Sequence, residues 1–122
     1  MTVILMGLFG GLGAVTRFFV DGLIRSRVRS VGSIGTIVIN VTGAVALGVI
    51  AGLVSAHVAP PDWQLIVGTG FLGGYTTFST TSFETVRLIQ QGRTRLALTL
   101  TLTQLTLSLA GAAGGYALGL RL

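Results

Sequence analysis

Cysteine and lysine are both absent from this 122-residue chain, and only three acidic residues occur, Asp21, Asp62 and Glu84. The lack of cysteine excludes disulfides, thiolate metal sites and a cysteine nucleophile. The three carboxylates fall in three different apolar segments or their ends, with no paired spacing. The single histidine, His57, has no carboxylate or second histidine near it in sequence and reads as a solvated loop residue. A general acid–base enzyme is hard to assemble from this inventory, so the chain is expected not to be an enzyme. Charge is scarce as well. Only 9% of residues are charged, too few for an ordinary soluble domain of this size.

What the sequence does contain is apolar: 51% of it, with 19 glycines. Four stretches approach or exceed the roughly 20 apolar residues that cross a bilayer, Val3 to Leu23, Ile34 to Val58, Trp63 to Ile89 and Leu96 to Leu120. They predict an all-α membrane protein of four transmembrane helices, one domain over residues 1–122, integral and multi-pass in the cell membrane. No basic residue precedes the first apolar run, so that run is expected to remain as a helix and not to be cleaved as a signal peptide.

The net charge of +5 comes from eight arginines. They are split among short loops and helix ends without interleaved aromatics, which speaks against nucleic acid and for membrane topology. Three loops are expected: Arg25 to Gly32, Ala59-Pro60-Pro61-Asp62, and Gly92-Arg93-Thr94-Arg95. The first and third carry Arg25, Arg27, Arg29, Arg93 and Arg95, with Arg87 close by, while the opposite face has Arg121 alone. By the positive-inside rule those loops are cytoplasmic and both termini lie outside. Small residues recur four apart (Gly7 and Gly11, Gly10 and Ala14, Gly48 and Gly52, Gly70 and Gly74, Gly111, Gly115 and Gly119), a spacing that lets helices approach closely where lipid supplies no hydrophobic drive. Gly10-Gly11-Leu12-Gly13 is not a nucleotide-binding loop, because no strand precedes it and no acidic residue follows at the expected distance.

The third apolar stretch contains Gly70-Phe71-Leu72-Gly73-Gly74-Tyr75-Thr76-Thr77-Phe78-Ser79-Thr80-Thr81, where two adjacent glycines and a run of hydroxyls weaken a helix at mid-membrane. Backbone groups freed at such depth are tolerated only where protein, an ion or a watery cavity satisfies them, so a break there is a functional-site hypothesis. Freed carbonyls suit a hard cation, and the alternative is a kink held by the hydroxyls of Thr76 and Thr77. On the second stretch Thr36, Asn40 and Gly43 share a face, with interhelical hydrogen bonding as the simplest role for Asn40. On the fourth, Thr101, Gln104 and Ser108 form a polar stripe, with Thr99, Thr103 and Thr106 on a neighbouring face; threonines there also commonly bond their own i−4 carbonyls. Arg17, about five residues from the end of the first stretch, either snorkels to the interface or lines an aqueous vestibule that concentrates anions.

GGYTTFST followed by Ser82-Phe83-Glu84 resembles the signature of the CrcB/Fluc family of small fluoride channels, GG-x-TTFSTFS-x-E. Gly35-Thr36-Ile37-Val38-Ile39-Asn40-Val41-Thr42-Gly43 is similar to that family's G-T-L-x-x-N-x-x-G, and Gly10 to Arg17 looks like its glycine-rich first helix. The resemblance implies a fluoride-specific channel that exports fluoride passively as an antiparallel dimer, with a third helix broken at mid-membrane. It implies a pore served by Asn40, Phe78, Thr36, Ser79, Gln104, Ser108 and Arg17. It also implies a structural sodium ion at the dimer centre, held by carbonyls of Gly73 and Thr76. A strongly hydrated anion sheds water only where donors replace it, and hydroxyls, an amide and the edge of an aromatic ring do so without trapping it.

Two departures stand out. The family's second pore phenylalanine is Thr81 here, and the tyrosine expected at the start of the fourth-helix track is Leu100; Phe83, about 200° round the helix from Thr81, does not substitute. Together with the arginine asymmetry these point to one half of a heterodimer whose oppositely oriented homologue supplies the missing groups. The alternatives are a homodimer with altered pore residues, a non-conducting partner subunit, or a small multidrug antiporter. The last needs a carboxylate in its first helix, and this one offers only Asp21 beside Arg17.

Overall fold

The computed structural model describes residues 1–27 and 33–122, without the side chains of Arg25, Ser33 and Ser79. Most of the first predicted loop, Arg29 included, lies outside the described residues, as do the side chains of Arg25 and Ser79. Every element described is helical. Helix α1 spans Thr2–Arg27, α2 spans Ser33–Ser55 and α6 spans Thr94–Arg121. These three are long and apolar enough to cross a membrane.

The remaining apolar stretch is divided. Helix α3 (Pro61–Trp63) starts with proline at its first position, where the missing N–H costs nothing. It runs into a π-helical segment, Gln64–Leu72, then α4 (Gly73–Tyr75), then two extended residues, and finally α5 (Phe78–Gln90). Thr76 (φ −81°, ψ 161°) and Thr77 (φ −147°, ψ 122°) interrupt the helical path. The Thr77 hydroxyl accepts the Thr80 amide at 3.2 Å, an N-cap that restarts the chain as α5. Two other ends are closed by left-handed residues. Gly92 (φ 76°) follows α5, with Arg93 N donating to Leu88 O, and His57 (φ 61°) follows α2, with Val58 N donating to Leu53 O.

The helices meet through glycine. A Cβ on Gly48 or Gly52 would overlap the carbonyls of Ala112 and Tyr116, and one on Gly115 or Gly119 would overlap those of Val45 and Val49, so α2 and α6 pack backbone on backbone. A second seam joins α1 to the divided segment, where Gly13 abuts the Phe71 carbonyl and Gly74 the Gly10 carbonyl. Gly7 and Gly11, which the four-residue spacing also singled out, meet nothing in this chain. The π segment is wedged between α1 and α2, with Gly70 against Met6 and Gly68 against Leu47. The polarity is inverted relative to a soluble domain: Phe18, Phe19, Leu8, Leu109 and Leu118 point outward, while Thr36 and Thr77 are buried.

Candidate functional site

The interruption at Thr76–Thr77 faces α2, and Asn40 meets it there. Asn40 Oδ1 accepts the Thr77 amide at 2.9 Å and Asn40 Nδ2 donates to the Thr77 carbonyl at 3.0 Å. One side-chain amide thus pairs with both backbone groups of an extended residue, as a neighbouring strand would. The Thr77 amide is the donor that a continuous helix would have given to the Gly73 carbonyl. Asn40 Nδ2 also lies 3.1 Å from Thr81 Oγ1 and 3.4 Å from Gln104 Oε1.

Thr81 is the centre of this cluster. Its hydroxyl donates to the Thr77 carbonyl at 3.0 Å and receives Asn40 Nδ2 and, at 3.3 Å, Gln104 Nε2. That uses the one donor and both acceptor sites of a hydroxyl. From sequence, Thr81 counts as a lost aromatic ring; in the fold it is the oxygen that ties α2, α5 and α6 together.

The cluster forms the floor of an open groove of about 610 Å³, walled by Leu47, Leu72 and Leu105, with Gly73, Thr76 and Phe78 along one side and Ser108 beyond Gln104. Among the described residues no charged side chain lines it. Thr101, Gln104 and Ser108 therefore turn their stripe into the groove, whereas Thr99, Thr103 and Thr106 are exposed on the outer surface. Phe78 begins α5 at 85% exposure. Gly73 opens outward, and a Cβ there would meet no atom of the chain within 4 Å.

Thr36 does not join Asn40 in the groove. It is 4% exposed, and its hydroxyl donates to Glu84 Oε1 at 2.6 Å. The pair borders a second, smaller pocket of about 20 Å³, room for about one water, lined also by Leu100 and Thr85 and sharing Thr81, Thr101 and Gln104 with the groove. From sequence, Glu84 stands only as one of three scattered carboxylates and as the end of a motif. Its partner is 48 residues away, and nothing local in the sequence marks the pairing.

Arg17 is not among the residues lining the groove. Its Nη1 donates to the Thr76 carbonyl at 3.4 Å. Gly13, one turn earlier on the same face of α1, allows the approach that brings it there. Among the described residues no cluster of three or more histidine, cysteine or carboxylate side chains is suited to a metal ion. Any cation at the interruption would rest on carbonyl oxygens. Of the two carbonyls that the sequence resemblance singles out, that of Thr76 already has a guanidinium on it.

The family model described as CrcB-like protein, Camphor Resistance (CrcB), matches residues 4–116. Fluoride-specific ion channel FluC 1 of Leifsonia xyli subsp. xyli is 47% identical over 119 residues, 98% of this chain and 87% of the relative. Fluoride-specific ion channel FluC 2 of Mycobacterium bovis is 43% identical, covering 86% of this chain and 80% of its own. The FluC channel of Solibacter usitatus is 39% identical over 90% and 91% of the two chains. With three membrane-length helices besides the divided segment, this is an integral multi-pass membrane protein.

Proposed function

The chain belongs to the CrcB family, and on that premise we propose that it is a fluoride channel subunit mediating passive export of fluoride. No bond is made or broken in that activity, so it is not an enzyme. The observation that carries the reading is the groove floor. Asn40, Thr81, Gln104 and Ser108 supply amide and hydroxyl groups along an apolar trough with no fixed charge. Such donors replace water around a small anion without holding it as an arginine would. Phe78 contributes the positive edge of its ring, and Ser79 follows it in the first turn of α5.

The trough is open, and its apolar walls need a cover. An antiparallel second copy or an oppositely oriented homologue closes it, with Gly73, whose Cα side is open, at the approach between the two. In this reading the interruption at Thr76–Thr77 lies at mid-membrane, and a structural sodium ion rests on Gly73 and Thr76 carbonyls of both subunits. Such hard oxygen ligands suit a sodium ion without a carboxylate.

One observation favours a second reading. Asn40 and Thr81 use their hydrogen-bonding groups within the chain, so a pathway through them needs that cluster to open. A partner subunit with an intact second phenylalanine would then conduct while this chain completes the dimer. The small multidrug antiporter is not retained. Fluoride efflux from vesicles holding this chain with an oppositely biased homologue separates the two readings when Phe78→Ile is placed in this chain: efflux falls if this chain's groove conducts and is unchanged if only the partner does.

A further inference from the structure

We infer that Arg17 is a tethered cation at the interrupted helix that opposes sodium binding on the same carbonyl oxygen, making it a positioning residue and not an anion-concentrating one. This rests on the sodium reading above.

The backbone at the interruption is held from two sides. Asn40, neutral, takes both groups of Thr77, and Arg17, charged, takes the carbonyl of Thr76 at 3.4 Å. The extended ψ of 161° at Thr76 turns its carbonyl out of the helical direction, towards α1 and Arg17. The route by which Arg17 gets there is built in. Gly10, Gly13 and Arg17 lie on one face of α1, and both glycines sit against backbone of the divided segment, so α1 delivers the guanidinium to the break at close range.

A guanidinium keeps its charge at any pH a protein meets. A sodium ion placed on the Thr76 oxygen would lie a few ångströms from it, in surroundings less screening than water, where like charges repel strongly. The two cations therefore disfavour each other. Arg17 satisfies the Thr76 carbonyl when sodium is absent, and it sets how much sodium is needed to take its place. This gives the chain a reason to hold an arginine at a position that, from sequence, allows either snorkelling or an anion-concentrating vestibule.

The test uses the full purified chain, assembled as it is isolated, in detergent. The midpoint of thermal unfolding is followed as sodium chloride replaces choline chloride at constant ionic strength. Arg17→Met keeps the stem length and removes the charge; Arg17→Lys keeps the charge. The expected result is that sodium raises the wild-type midpoint, that Arg17→Met shows half of its rise at about tenfold less sodium, and that Arg17→Lys stays within about threefold of wild type. A general loss of packing would lower the midpoint in choline without moving the sodium dependence. If Arg17→Met is not recovered folded, Arg17→Gln is judged by the same criterion. Equal half-effects in wild type and the charge-free variant, or a weaker sodium response in the latter, overturn the antagonism and leave the sodium reading standing. A flat profile in both removes the sodium reading and the antagonism with it.

Discussion

The side chain of Asn40 and the backbone of Thr77 form a two-point pair, N–H to Oδ1 at 2.9 Å and Nδ2 to C=O at 3.0 Å. It holds the residue where one helix stops and the next begins, on the floor of the groove that the proposed channel function needs. Asparagine suits this task because one planar group offers both a donor and an acceptor.

Asn40→Asp removes the donor and adds a negative charge beside the Thr77 carbonyl. The expected outcome is a loss of about 1–3 kcal/mol in stability, as for a part-buried acceptor left unsatisfied, together with at least tenfold slower fluoride efflux from vesicles. Efflux at the wild-type rate would take Asn40 out of the permeation path.

Phe78, exposed and at the start of α5, packs little within its own chain. Phe78→Ile should leave expression, assembly and thermal midpoint unchanged while slowing fluoride efflux, since it retains apolar bulk and lacks the ring edge. Unchanged flux would reduce Phe78 to a packing role.

Much of this arrangement is legible in the sequence. The apolar stretches, the Pro60-Pro61 and Gly92 punctuation and the polar stripe of Thr101, Gln104 and Ser108 rest on local pattern, and the fold uses them so. Three features are not legible. The π winding of Gln64–Leu72 has no composition of its own and is held between α1 and α2 by contacts through Gly68 and Gly70. Thr36 with Glu84 and Arg17 with Thr76 are pairs 48 and 59 residues apart, which no periodicity joins. Thr81 reads from sequence as a missing ring; the bonds of its hydroxyl to Asn40 and Gln104 emerge only when α2 and α6 are in place.

Thr81→Val tests that role. Valine fills about the same volume but takes the Thr81 acceptor from Gln104 Nε2 and one of three acceptors from Asn40 Nδ2, so a loss of about 1–2 kcal/mol is expected, with Thr81→Ser close to wild type; thermal unfolding measures both. Equal stability of Thr81→Val and wild type would remove the hub.

Glycines of one spacing pattern make opposite predictions according to whether they lie in a seam. Gly115→Leu collides with the Val45 carbonyl in the α2–α6 contact and should prevent folding or cost more than about 2 kcal/mol, whereas Gly7→Leu projects into open space and should cost little. Gel filtration in detergent and thermal midpoints compare them. A well-folded Gly115→Leu protein would contradict the packing described.

Orientation follows from arginine. Reporter fusions to the C-terminus should report the outer face only, because the first and third loops carry Arg25, Arg27, Arg29, Arg93 and Arg95 against Arg121 opposite. Equal signal on both faces would mark a dual-topology homodimer.

The most direct measurement is ion-selective efflux. Vesicles loaded with potassium fluoride or potassium chloride, made permeable to potassium, and containing this chain with or without an oppositely biased homologue, are followed with fluoride and chloride electrodes. The account predicts rapid fluoride release and retained chloride, weak with the chain alone and restored with the partner. No fluoride release under either condition, or chloride released as fast as fluoride, would contradict it.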